Sequence, residues 1–239
     1  PPTEPWRPAC LYNAMIHPLA PLAVRGVIWY QGESNVGRAE AYRRQLPAMV
    51  KAWRTAFQHE DLWFLAVQLP AFGKVRQWPR SAWAEIRESI AESTAALPSA
   101  ASIVSTDCGL PDEIHPPLKK PIGQRLARAA RALIYGDDTL VWSGPTLRQA
   151  DFADGCCTVQ FNHVGDGLVA RGGPLVGFTL AGRDQVFHSA AGEIVDETVV
   201  LTSAGVPDPV AVRYAWQDSP VANLWNRDGL PAGSFRSDN

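Results

Sequence analysis

Up to Gly136, short apolar runs alternate three times with stretches whose apolar residues recur every three or four positions; beyond it the helical period disappears. Gly26 to Gln31 is β-branched and aromatic and is closed by Gly32, which predicts a buried strand. From Arg38 to Phe57, the residues Tyr42, Leu46, Met49, Val50, Trp53 and Phe57 mark one helical face. Pro47 lies inside that helix and predicts a kink or an irregular turn. Leu62 to Leu69, stopped by Pro70, is the second strand, and Ser81 to Ala96 the second helix. Ala101 to Thr106 is the third strand. A third helix after Pro116-Pro117 carries Ile122, Leu126, Ala129 and Leu133 and ends at Gly136. Three strand–helix units in series predict an α/β fold, a parallel sheet with helices on both faces.

After Gly136 come short β-rich runs punctuated by Gly, Pro, Asp and Asn: 157–161, 168–170, 178–180, 185–188, 198–202 and 210–215. That pattern predicts a β-sandwich. The boundary falls between Gly136 and Trp142, so the expected division is 1–136 and 137–239.

Composition removes several function classes. Of 239 residues, 46% are hydrophobic and 19% charged, which supplies a core and excludes a disordered tail. With Lys plus Arg at 22 and Asp plus Glu at 24, there is no basic excess to hold nucleic acid. The charge-free stretch from Pro8 to Val24 is broken by prolines and does not predict a membrane span. The chain opens Pro1-Pro2-Thr3, without Met or a signal segment, and reads as a piece of a longer protein. Cys10, Cys108, Cys156 and Cys157 lack the spacing of a zinc site and read as buried or free thiols. Pairing them would require an exported protein.

Ligands of open parallel sheets bind beyond the carboxyl ends of the strands. Two polar clusters are expected there: Gln31-Gly32-Glu33-Ser34-Asn35 after the first strand, and Asp107 to His115 after the third. Asp112, three residues before His115, can place its carboxylate on the imidazole and leave the other nitrogen free as a general base. An isolated pair of this spacing is more often a surface Asp and a His that helps start a helix, and Asp107 and Glu113 are rival partners. Gly32 lets a substrate approach closely, and the Gln31 amide can donate to an oxyanion. The plain alternative is a polar turn in which Glu33 or Ser34 caps the next helix. Trp78 is the candidate for stacking on a sugar ring, against the commoner role of rim packing. No Gly-x-Ser-x-Gly elbow is present, and no serine is convincingly placed beside His115.

At these clusters the sequence resembles the sialate O-acetylesterase family of SGNH hydrolases and carbohydrate acetylesterases. The resemblance rests on Leu11-Tyr12-Asn13-Ala14-Met15-Ile16-His17-Pro18-Leu19 and on Gly26 to Asn35. It continues in Asp112-Glu113-Ile114-His115-Pro116, Lys119, Gly123-Gln124-Arg125-Leu126, Val212 to Trp216 and Asn223 to Pro231. It implies a flavodoxin-like SGNH sheet, incomplete in this chain, followed by a jelly-roll-like accessory β-sandwich. The roles it implies are His115 as general base, Asp112 as its orienting partner and Gln31 as oxyanion donor. It also implies that Glu33 braces the turn from behind; the candidate substrate-binding residues are Gly32, Glu33, Asn35 and Trp78.

The implied activity is hydrolysis of O-acetyl esters on sialic acid or plant glycans, without metal or organic cofactor, in a periplasmic or secreted protein. The family's nucleophilic serine sits in a Gly-Gln-Ser-Asn-Met-type motif that this chain lacks, so the resemblance implies an N-terminal segment of the same protein as partner. The competing reading is a carbohydrate-binding or scaffolding fragment without catalysis. Co-purification of a Gly-Gln-Ser-Asn segment separates the two.

Overall fold

The computed structural model describes residues 7–73 and 81–238. Three strands, β1 (Gly26–Trp29), β2 (Trp63–Val67) and β3 (Ala100–Ile103), form a parallel sheet in the order β1-β2-β3. The helices α1 (Ala39–Ala56), α2 (Ala82–Ala95) and α3 (Lys120–Leu133) alternate with and follow them. The continuous apolar run of β2 is explained by burial on both faces. Phe64 and Ala66 face a core built with Tyr42, Leu46 and Val50 of α1 and Trp83, Ile86 and Ile90 of α2. Leu65 and Val67 face the opposite core, with Ile122, Leu126 and Ala129 of α3. Helices on both faces were therefore legible in the strand–helix alternation. The strands are each shorter than the apolar runs that predict them.

Pro47 does not end the helix: α1 runs from Ala39 to Ala56 with the proline inside it. Proline removes the N–H that would bond the carbonyl of residue 43. The hydroxyl of Ser93 on α2 donates to the Arg43 carbonyl at 3.3 Å and replaces it. Ser81 caps α2, accepting from the Ala84 N–H at 3.0 Å.

The β-rich half contains β4 (Thr146–Ala153), β5 (Cys156–Asn162), β6 (Leu168–Ala170), β7 (Phe178–Ala181), β8 (Phe187–Ser189), β9 (Ala191–Val195), β10 (Thr198–Thr202), β11 (Ala211–Tyr214), β12 (Leu224–Asn226) and β13 (Phe235–Arg236). They form antiparallel sheets ordered β4-β5-β10-β9 and β13-β11-β7-β8, with a small β12-β6 pair. Val159 and Leu201 from the first sheet share one core with Leu180, Val212 and Tyr214 from the second. Strands β4, β9, β12 and β13 lie outside the six expected runs.

The last stretch of chain returns to the α/β half. Arg236 is paired with Glu88 of α2 at 2.9 and 2.8 Å, and Arg128 of α3 donates to the Asp228 carbonyl at 3.0 Å. The four cysteines are free thiols, with Cys108 and Cys157 buried. Among the described residues, no helix is long and apolar enough to cross a membrane.

Candidate active site

Three segments leave the carboxyl edge of the sheet side by side. Gln31–Asn35 follows β1, residues 68–73 follow β2, and Asp107–His115 follows β3. Gly32 is buried with φ +151°, a conformation that favours glycine, and a Cβ there would come within 3.4 Å of the Leu69 side chain. A Cβ at Gly109 would lie 2.1 Å from the Ala71 carbonyl oxygen. The middle segment thus packs against both neighbours: at Gly109 the approach is so close that only glycine fits, and at Gly32 it is the backbone conformation that calls for glycine. It is also bonded to the third segment, from Ala71 N–H to Thr106 O at 3.3 Å and from Gly73 N–H to Pro111 O at 2.9 Å.

Gln31 sits in a directed relay. The Trp29 indole N–H donates to Tyr42 Oη at 3.1 Å. Tyr42 in turn approaches Gln31 Oε1 at 3.1 Å and the Gln31 carbonyl at 3.2 Å. Gln31 Nε2 donates to Asn35 Oδ1 at 2.9 Å. With an acceptor on one side and a donor on the other, the amide orientation is set, and one Nε2 hydrogen is left for another acceptor. Burial pushes the Tyr42 phenol above its ordinary pKa, which keeps it protonated as a donor.

Glu33, Ser34 and Asn35 form a short 3₁₀ turn. Neither Glu33 nor Ser34 caps α1; Arg38 holds that position without a side-chain bond. The capping expectation is therefore corrected: the 3₁₀ turn and Gly37 separate the polar cluster from the helix. Burial, with the Glu33 carboxylate beside it, pushes the Tyr30 phenol up to about 12. Lys119 lies 4.6 Å above the Tyr30 ring and 3.4 Å from its hydroxyl, which links the first loop to the entry of α3.

The third loop turns tightly at Leu110–Glu113 and leaves Asp112 and His115 exposed. Glu113 Oε1 accepts the His115 backbone N–H at 2.8 Å. Asp107 is held by Arg125 at 2.6 and 2.7 Å. Among the described residues, no hydrogen bond joins the Asp112 carboxylate to the His115 imidazole. The expectation that His115 helps start a helix is also corrected, because α3 begins at Lys120. Ile114 packs against the same apolar core as Trp29, Tyr30 and Val36. Trp78 lies outside the described residues.

Sequence reasoning took Tyr42 as an ordinary core residue of α1 and did not connect it to Gln31. Its signal was weak: a phenol on an apolar face needs a polar partner, but pattern alone does not say which. A cleft of about 800 Å³ opens at the opposite, amino end of the sheet, lined by residues 20–25 and 56–59. Among the described residues that line it, no carboxylate accompanies His59.

A parallel sheet with helices on both faces and polar loops at its carboxyl edge defines an α/β protein. The profile of the family described as carbohydrate esterase, sialic acid-specific acetylesterase, matches residues 3–132, more than half of the chain. The chain belongs to that family. It is 33% identical over 159 residues to the sialate O-acetylesterase of Homo sapiens, covering 60% of this chain and 30% of that protein. To the sialate O-acetylesterase of Mus musculus it is 31% identical over 165 residues, covering 62% and 30%. A crystal structure of a carbohydrate acetylesterase from Xanthomonas citri is similar at 45% identity and a TM-score of 0.90. That match covers 96% of this chain and 54% of the other. The chain thus spans about a third of the length of these curated relatives and about half of the solved one.

Proposed function

We propose that this chain supplies the general base, its partner and the oxyanion donor of a carbohydrate O-acetylesterase, with the nucleophilic serine on an upstream segment of the same protein. The observation that carries the reading is the Gln31 amide, aimed by Tyr42 and Asn35 beside the buried Gly32. Family membership supplies the reaction class.

In this mechanism His115 takes the serine proton as the oxygen attacks the acetyl carbonyl. Gln31 Nε2 donates to the oxygen that becomes negative. As the intermediate collapses, the bond to the sugar oxygen breaks and His115 returns the proton to it, leaving an acetyl-serine. Water, deprotonated by His115, repeats the sequence and releases acetate. Asp112 closes on the imidazole to hold its tautomer once the site is complete. Gly32, Glu33, Asn35 and Trp78 form the substrate side. The sugar is an acetylated sialic acid or an acetylated plant glycan, encountered in the periplasm or outside the cell.

The finer architecture is part of the proposal. Residues 1–136 belong to an SGNH sheet of flavodoxin type, and residues 137–239 to a jelly-roll-like accessory β-sandwich. The position of β1 at the sheet edge, with Ile28 63% exposed, supports a further strand beside it. The test is turnover of an aryl acetate by the complete protein. His115→Ala is expected to lower kcat on the order of 10⁴-fold with the fold intact. Near-normal turnover removes His115 from the mechanism.

A further inference from the structure

Arg87 of α2 is wholly buried, yet among the described residues no carboxylate bonds its guanidinium. It donates instead to four backbone carbonyls. Two close the end of β2, Leu69 O at 2.8 Å and Pro70 O at 3.1 Å. The other two come from the C-terminal half, Gln217 O at 2.9 Å and Asp218 O at 2.8 Å. The Asp218 carboxylate is turned to the start of α2, where it accepts from Ser81 Oγ at 2.6 Å and from the Trp83 N–H at 3.3 Å. Burial draws the Arg87 pKa down to about 9, opposed by the nearby Asp218 charge. Burying a cation against neutral dipoles is costly, so the four carbonyls it gathers are tightly specified.

The Leu69 and Pro70 carbonyls belong to the segment between the two candidate loops. The Leu69 side chain lies on Gly32, and the Ala71 backbone lies on Gly109. Movement of residues 69–71 therefore shifts the oxyanion loop and the histidine loop relative to each other. We propose that Arg87 is a positioning residue for the esterase site, and that the C-terminal half takes part in the site by supplying half of its grip. This inference rests on the proposed function.

The test compares Arg87→Lys with Arg54→Lys in the complete protein. Arg54 holds Leu62 O, Pro98 O and Ser99 O at the amino end of the same strands, at 3.1, 2.7 and 3.1 Å. A lysine cannot reach four fixed carbonyls at once. Arg87→Lys is expected to lower kcat for an aryl acetate roughly tenfold or more, with KM within about twofold, since small misplacements act on the transition state. Hydrogen exchange at the amides of Asn35, Ala71 and Gly109 is expected to quicken about tenfold. Arg54→Lys lowers the melting temperature but leaves kcat and those amides unchanged. Asp218→Asn, a milder change to the same strut, moves kcat and exchange in the direction of Arg87→Lys if that variant does not fold. Equal effects of the two lysine variants, or unaltered exchange at Asn35 and Gly109 in the Arg87 and Asp218 variants, overturn the assignment. Absence of acetylesterase activity in the wild type refutes the proposed function instead, and the exchange comparison still decides the role of Arg87.

Discussion

Asp107 and Arg125 are locked in a two-point ion pair at the carboxyl edge of the sheet, with Oδ1 2.6 Å and Oδ2 2.7 Å from the terminal guanidinium nitrogens. Arg125 also donates to the Val104 carbonyl at 2.9 Å, and its side chain is only 8% exposed. Both Asp107 oxygens are therefore committed to fastening α3 to the end of β3. Glu113 is engaged by the His115 backbone. Of the three carboxylates close to His115 in sequence, Asp112 is the one that no such contact ties down among the described residues.

The first prediction separates these carboxylates. Asp112→Asn in the complete protein should lower kcat roughly 10³-fold or more, because an amide cannot hold the imidazole in its working tautomer. Asp107→Asn should instead cost about 1.5 kcal/mol of stability, the scale of a charge-assisted bond, with kcat changed only a few-fold. Urea melts and aryl-acetate kinetics on both variants check this. A larger kcat loss in Asp107→Asn would place the orienting carboxylate there.

The outline of the α/β half was readable because β2 is apolar on both faces and its helices repeat at the right interval. The strands missed in the second half carry weaker patterns. In β4 buried and exposed positions do not alternate cleanly, since a bulge shifts its register between Leu147 and Gln149. In β13 only two residues pair. At the site, sequence spacing brought Gln31 and His115 to one edge, but it could not tell that Arg125 claims Asp107. It could not show that Tyr42 aims Gln31 either. Those facts depend on side chains from separate elements meeting in space, which neither periodicity nor local spacing encodes.

The second prediction concerns the relay. Tyr42→Phe keeps the ring in the core but removes the hydroxyl beside Gln31 Oε1, so the amide can rotate away from its aim. We expect kcat to fall about three- to tenfold, against roughly 10²- to 10³-fold for Gln31→Ala, with KM little moved in both. The double variant should be no slower than Gln31→Ala alone, since Tyr42 acts through Gln31. Losses that multiply would separate the two residues.

The third prediction is an alkaline loss of stability. Burial raises the Cys108 thiol from 9.0 to about 11, with Asp107 adding to it, and raises Cys157 to about 12. Tyr30 rises from 10.0 to about 12. Each group keeps its proton in the folded chain at a pH where the unfolded chain has released it. The unfolded state then binds fewer protons, so stability falls as pH rises. The contribution is fully present below pH 9, declines from there as the thiols ionise in the unfolded chain, and levels off near pH 12. Calorimetry from pH 7 to 11 should show a falling melting temperature above pH 9, and Cys108→Ala should shallow that fall. A flat profile to pH 11 would contradict the buried, protonated state of these groups.

The fourth prediction tests the edge of the sheet. Ile28 on β1 points to the face that α3 covers at β2, yet it is 63% exposed, and Leu11, Met15, Leu19 and Leu22 nearby in sequence are also exposed. An apolar side chain on an unpaired parallel edge is unusual unless another strand covers it. If an upstream segment of the same protein completes the sheet, Ile28→Glu should behave differently in two settings. In residues 1–239 alone it should change stability by less than about 0.5 kcal/mol and reduce aggregation, as an exposed substitution does. In the complete protein it should cost about 2 kcal/mol or more, because the carboxylate would be buried without a partner. Chemical denaturation of both forms, with light scattering on the shorter one, makes the comparison. Equal and small effects in both would mean that Ile28 stays in solvent and that the segment bearing the serine enters the site by another route.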